Sequence, residues 1–145
     1  MSLSSYKITH DLLNSSDYGV PQKRERIFIV GIREDLKKKF AFPSKTHGPG
    51  LQKKKTLREV INSLWPDDDK YFFSKRAVEG VKKAKPNMKR ALAQDLDSQC
   101  LTITSHLAKV SINSRDPVLL VDASKELYRR FSPREAARIQ SFPDS

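Results

Sequence analysis

Gln22, Arg24 and Arg26, spaced two apart, are the side chains whose type and spacing point most directly to chemistry. Each guanidinium is a fixed fork of N–H donors, suited to a phosphate or to the carbonyl-rich edge of a base. Alternate residues of an extended chain share a side. The three would therefore face one way as the chain enters the apolar run Ile27-Phe28-Ile29-Val30. Gly19 and Pro21 punctuate the turn ahead of them, and the apolar run reads as a strand covered on both faces. A solvated basic loop leading into a strand would carry the same residues, so spacing alone leaves both readings open.

The charge balance narrows the choice. Twenty-eight Lys and Arg against 17 Asp and Glu give a net charge of +11 over 145 residues. That excess favours a polyanion, nucleic acid foremost, over a basic protein with no such partner. Hydrophobic residues make up 37% of the chain, enough for one modest core. No apolar run approaches the roughly 20 residues that span a bilayer, and no charged-then-apolar leader opens the chain. The expectation is a cytoplasmic protein without a membrane partner. Cys100 is the single cysteine, which excludes an internal disulfide and a Cys-rich zinc site. His10, His47 and His106 show no ligand spacing, so no metal is expected.

The elements that must position these residues follow from periodicity and punctuation. Residues 6–13 read as a strand running into a loop at 14–17, and residues 26–32 as the clearest strand. Residues 33–39 form a charged connection, and Phe40-Ala41-Phe42-Pro43 a short apolar patch. Gly48, Pro49, Gly50 and three lysines mark residues 46–55 as a flexible boundary. Thr56-Leu57-Arg58-Glu59 is a capping box ahead of a short helix with Leu57, Val60, Ile61 and Leu64 on one face, stopped by Pro66. Residues 74–85 form a second helix, with Ala77, Val78, Val81 and Ala84 inward and Lys82, Lys83 and Lys85 outward. A basic polar loop follows at 86–90. Residues 101–104 alternate like a half-exposed strand and 118–121 like a buried one. Ser132-Pro133-Arg134-Glu135 is a second capping box, with proline at the first helical position, opening a helix over 133–141.

Two of these segments carry a family resemblance. Gly19-Val20-Pro21-Gln22-Lys23-Arg24-Glu25-Arg26 resembles the Gln-x-Arg-x-Arg motif of DNA (cytosine-5) methyltransferases. Arg129-Arg130-Phe131-Ser132-Pro133-Arg134-Glu135-Ala136-Ala137-Arg138-Ile139-Gln140-Ser141-Phe142-Pro143-Asp144 resembles the motif after their variable target recognition region. The motifs stand in the family's order, about a hundred residues apart, and cover roughly a quarter of the chain. The resemblance implies a mixed α/β fold. Residues 1–45 would end a Rossmann-like catalytic lobe, 46–131 would be a small, irregular α+β recognition domain, and 132–145 a helix returning toward the lobe.

The resemblance also implies roles. Arg26 would help hold a flipped cytosine, Arg24 would support the DNA backbone and the catalytic loop, and Gln22 would help fix the turn. Thr102-Ile103 matches the Thr-aliphatic pair that contacts the backbone beside the target base, although an ordinary strand threonine fits Thr102 as well. Lys82, Lys83, Lys85, Lys89 and Arg90 would meet phosphates. Asn87, Gln99, Ser105, His106, Asn113 and Arg115 are candidates for base contacts, though polar loop residues are more often simply solvated. Arg134, Glu135 and Arg138 read as capping and bridging residues. The double-stranded DNA substrate, S-adenosylmethionine as methyl donor in the full-length enzyme, and a restriction–modification setting come with the family.

Other family motifs have no counterpart. The nucleophilic Pro-Cys, the Glu-Asn-Val segment and the Phe-x-Gly-x-Gly turn are missing. Cys100, between Gln99 and Leu101, reads as a buried apolar residue. The expectation is the C-terminal part of such an enzyme, binding no cofactor and transferring no methyl group alone, with the missing catalytic lobe as a partner. A DNA-binding module that kept only the recognition domain and one half of a split enzyme are the competing readings. The DNA site is not legible from these side chains.

Overall fold

The computed structural model describes residues 5–84, 93–105, 107 and 118–144, a small mixed α/β fold with short sheets and few helices. Strands β1 (Tyr6–Asn14) and β2 (Glu25–Arg33) form an antiparallel hairpin, in unbroken register from Tyr6 opposite Arg33 to Asn14 opposite Glu25. A 3-10 turn at Ser15–Tyr18 connects them, begun by the Asn14 side chain accepting from the Ser16 amide at 3.1 Å. Gly19 ends the turn in the left-handed region (φ 82°). Ser15 closes the neck of the hairpin, donating its amide to the Arg24 carbonyl at 3.0 Å and accepting the Arg24 amide on its hydroxyl at 3.2 Å.

β2 falls where the apolar run predicts it, but it is not covered on both faces. Residues directly opposite one another share a face, so Tyr6, Ile8, Leu12, Ile27 and Ile29 lie together. They are between 57% and 70% exposed, and Phe28 on the other face is 48% exposed. The pattern of a buried strand is present, yet the described residues supply no layer to pack on it.

The core forms further along the chain. Leu57, Cys100, Leu119, Phe131 and Ile139 are fully buried or nearly so, with Val60, Ile61, Leu96, Ile103 and Leu107 packed against them. The expected helix over 57–64 is a single 3-10 turn, Leu57–Glu59, although its capping box forms, the Thr56 amide donating to Glu59 Oε1 at 2.8 Å. The amides of Leu57 and Arg58 are taken by the carbonyls of Ser98 (3.0 Å) and Leu96 (2.8 Å), which anchors the turn to a distant loop. Val60, Ile61, Asn62 and Ser63 are also poor helix formers.

Helix α1 (Lys75–Ala84) agrees with its periodicity: Val78 is buried, and Lys82 and Lys83 are exposed. The side chains of Val81 and Ala84, and residues 85–92, lie outside the described set. Strand β3 (Leu119–Asp122) pairs antiparallel with β4 (Leu127–Arg129), with a register shift between Leu120 and Asp122. Helix α2 (Pro133–Ile139) carries the predicted capping box at Ser132 and Glu135.

Residues 101–104 form no strand. The Leu101 amide donates to the Gln94 side chain at 2.9 Å, and pairing is limited to a bridge between Gln22 and Cys100. Residues 46–55 make a hydrogen-bonded turn, with Gly48 donating to the Gln52 carbonyl at 2.9 Å and the Gln52 amide to the Thr46 carbonyl at 3.2 Å. Among the described residues no helix is long and apolar enough to cross a membrane.

Candidate functional site

The turn at 19–26 is held by Cys100 and Thr102, and Asp17 just before it by a third segment. Cys100 donates its amide to the Pro21 carbonyl at 2.8 Å and accepts the Lys23 amide at 2.7 Å, forming the bridge beside Gln22. The Thr102 hydroxyl then donates to the Lys23 carbonyl at 3.0 Å. Two segments singled out by sequence, 79 residues apart, thus lie against each other. On the other side, the Asp17 carbonyl accepts the amides of Thr46 (2.9 Å) and His47 (3.0 Å).

Gln22, Arg24 and Arg26 do not all share one side. Gln22 is 2% exposed, and its Nε2 makes no hydrogen bond among the described residues. Its carbonyl accepts the Ser15 hydroxyl at 2.5 Å, and the bridge to Cys100 draws the residue inward. Half-buried Arg24 and exposed Arg26 line a common cleft of about 330 Å³ with Leu13, Tyr18, Val20, Phe28 and Pro43. Arg26 is steadied by a 2.6 Å hydrogen bond from Nη1 to the Glu25 carbonyl. The walls of this cleft are almost wholly apolar, so it suits the face of a flat ring.

A second cleft, of about 570 Å³, opens on the other face of the hairpin end, where Leu12, Asn14 and Glu25 project. Asp17, Lys23, Lys45, His47, Lys54 and Gln99 also line it. The buried Asp17 carboxylate pairs with Lys45 at 2.8 Å and Lys54 at 2.5 Å. The hydrogen bonds from Lys45 and Lys54 outweigh burial and hold the Asp17 carboxyl below the usual carboxylate range.

Near α2 a buried arginine takes the central place. Arg129 is 0% exposed and uses its whole donor set. Nη1 and Nη2 each donate to one Glu135 oxygen at 2.7 Å, Nε donates to the Leu64 carbonyl at 2.6 Å, and the remaining donors reach the carbonyls of Ser63 (2.9 Å) and Arg130 (3.1 Å). Burial pushes the Glu135 carboxyl up, but the Arg129 fork and the Ser132 amide outweigh it and hold it low. Arg138 and Arg134 both face Asp144, at 2.7 and 3.9 Å. These contacts are structural in kind.

The remaining sequence candidates scatter. Ile103 packs against the core, Lys82 pairs with Glu126, and Lys83 is exposed. The Gln99 side-chain amide donates to the Lys55 carbonyl at 3.3 Å, and Ser105 is exposed. Lys85, Asn87, Lys89, Arg90, His106, Asn113 and Arg115 lie outside the described residues. Sequence reasoning does not single out Asp17 or Arg129. Asp17 matters through Lys45 and Lys54, which only the fold brings to it. Arg129 stands in the sequence simply as one residue of a longer motif.

Cys100 is fully buried, so its thiol is not presented to a substrate. Among the described residues no cluster of His, Cys, Asp and Glu side chains could hold a metal ion. S-adenosylmethionine carries a sulfonium cation, which neither the arginine-lined cleft nor the lysine-lined cleft suits. These two clefts do not fit that donor.

The family model described as C-5 cytosine-specific DNA methylase matches residues 1–145. The chain is 36% identical over 152 residues to the Type II methyltransferase M.BsuRI of Bacillus subtilis, covering 97% of this chain and 33% of that protein. It is also 36% identical over 160 residues to the Type II methyltransferase M.MthTI of Methanothermobacter thermautotrophicus, covering 96% of this chain and 46% of the relative. A third relative, Type II methyltransferase M.NgoPII of Neisseria gonorrhoeae, is 31% identical over 169 residues, covering 97% of this chain and 46% of the relative. The chain thus spans between a third and a half of the length of these relatives. With the Gln-x-Arg-x-Arg turn and the capped Arg-Glu helix both in place, this chain belongs to the C-5 cytosine-specific DNA methylase family.

Proposed function

We infer that this chain supplies the DNA-recognition and target-base-gripping part of a cytosine-5 methyltransferase of a restriction–modification system. The observation that carries the reading is the Thr102–Lys23 contact, which sets the loop that would belong to the recognition domain against the turn bearing Arg24 and Arg26. A cytosine inside a duplex cannot be reached, so it must be flipped out at a cost of a few kcal/mol and gripped by its polar edge. Arg26, with Arg24 behind it in the same cleft, would face the base carbonyl and adjoining phosphate. Thr102 would meet the backbone beside the base, and Lys82, Lys83 and the basic residues at 85–90 would position the duplex without reading it.

The methyl-transfer step needs a thiolate nucleophile, and Cys100, the single cysteine, is fully buried. The rest of the catalytic machinery is the partner this reading requires. The uncovered apolar face of Tyr6, Ile8, Leu12, Ile27 and Ile29 favours it, whether that lobe comes from the same chain or a separate one. By itself the 145-residue chain then transfers no methyl group.

The test is selection of sites from a random duplex pool, at low and near-physiological salt. Enrichment of one short motif that survives the higher salt supports the reading. Unselective binding that collapses with salt would leave only counterion release by a +11 chain and overturn it. Methyl incorporation by the purified chain would overturn the inactive-alone part.

A further inference from the structure

We propose that the cleft lined by Lys23, Lys45, Lys54 and His47 is a preorganised phosphate clamp for the backbone of bound duplex, with Asp17 as its positioning residue. The inference rests on the DNA reading above and adds a contact surface to it, separate from the Arg24 and Arg26 cleft.

The geometry is that of a built site. Lys23, Lys45, Lys54 and His47 line one cleft of about 570 Å³ together with Asp17 and Glu25, and the Lys45 and Lys54 ammoniums meet at the Asp17 carboxylate. An ammonium has three donors. Lys54 spends one on Asp17 and one on the Ser16 hydroxyl at 3.2 Å, while the 61%-exposed Lys45 spends one on Asp17. Both therefore keep donors for a ligand. The Lys23 ammonium has no partner among the described residues, and its backbone is fixed by Cys100 and Thr102.

A free lysine gives up rotamer entropy when it takes a phosphate. Lys45 and Lys54 have already given it up, because a nearly buried carboxylate holds both in place. Asp17 is in turn fixed through its own carbonyl by the amides of Thr46 and His47. The cleft flanks the same turn as the arginine cleft, through Asn14, Ser16 and Asp17 on one side and Leu13, Ser15 and Tyr18 on the other.

The experiment is fluorescence-anisotropy titration of a labelled duplex with the purified full chain, between about 50 and 200 mM salt. Lys23→Gln and Lys45→Gln should each weaken binding and lower the slope of log affinity against log salt by about 0.9, the loss of one phosphate contact. Lys38→Gln, an equal change of charge on an exposed lysine outside both clefts, should leave the slope near its original value. Asp17→Asn separates the clamp from simple electrostatics. Removing a negative charge should tighten binding if charge alone matters, whereas loss of the anchor for Lys45 and Lys54 should weaken it and flatten the slope.

Tighter binding by Asp17→Asn, or Lys23→Gln and Lys45→Gln behaving like Lys38→Gln, overturns the clamp and leaves the DNA reading standing. Absence of duplex binding by the unaltered chain at any salt overturns both. If thermal melting shows Asp17→Asn unfolded, Lys23→Gln decides, since its side chain makes no contact with a partner among the described residues.

Discussion

The hydroxyl of Thr102 lies 3.0 Å from the Lys23 carbonyl, and donation of that hydrogen ties the loop at 101–104 to the turn carrying Arg24 and Arg26. The bond is short in space and 79 residues long in sequence. Thr102→Val keeps the shape and removes the donor, so it should cost about 1 kcal/mol in chemical denaturation. Thr102→Ser should recover most of that loss. An unchanged midpoint for the valine variant would show that the contact does not hold the two segments together.

Gly19 faces two constraints at once. Its φ is +82°, and a Cβ there would come within 2.7 Å of the His47 Cε1 atom. Gly19→Ala should therefore lose about 1–2 kcal/mol from the left-handed backbone alone, and more from the clash. Adding His47→Ala to that variant should return only the steric share. Denaturation midpoints of the two single variants and the double variant separate the terms.

What can be read ahead of the structure is what local sequence decides. The Ser132–Glu135 capping box, the Gly19 turn and the positions of β1 and β2 all follow from neighbours a few residues away. The burial of β2 does not, because an apolar strand advertises a covering layer whether or not one is packed on it. The helix expected from Leu57 onward is a single 3-10 turn, followed by the poor helix formers Val60, Ile61, Asn62 and Ser63 and anchored at its open amides by carbonyls from Leu96 and Ser98. Alternation places Gln22 outward with the arginines, but its pairing with Cys100 turns it in. Asp17 and Arg129 escape the sequence for the same reason. Their partners, Lys45 and Lys54 for one and Ser63, Leu64 and Glu135 for the other, are assembled only by the fold.

The Arg129–Glu135 pair should be the most sensitive polar contact in the described structure. Arg129→Met leaves a largely buried carboxylate unpaired and strips donors from the Ser63 and Leu64 carbonyls, which should cost about 3–5 kcal/mol. Arg129→Lys should recover little, because a point charge cannot reproduce a two-pronged contact. Adding Glu135→Leu to Arg129→Met should restore part of the loss. Urea midpoints for these variants check the order.

Acid should weaken the fold through the same kind of group. Asp17 has its carboxyl lowered by the hydrogen bonds from Lys45 and Lys54. A depressed carboxyl contributes stability that is complete above its unfolded value and lost as pH falls through its folded value. Denaturation midpoints should thus hold near neutrality and begin to fall below about pH 5. Asp17→Asn should lower the midpoint at pH 7 and flatten the acid slope. A slope equal to that of the unaltered chain would show that Asp17 carries none of it.

The bare hairpin face makes the last prediction. Tyr6, Ile8, Leu12, Ile27 and Ile29 form a continuous apolar surface on a two-stranded sheet, and such hairpins are marginal in water without a covering layer. The face should bind an environment-sensitive hydrophobic dye and drive concentration-dependent association. Ile29→Lys, with His10 directly opposite it, places a charge at the middle of the face and should abolish both without touching either cleft. Sedimentation velocity reads the association. If Ile29→Lys leaves dye binding and association unchanged, the face is not the surface that seeks a partner, and the case for a lobe packed on it falls.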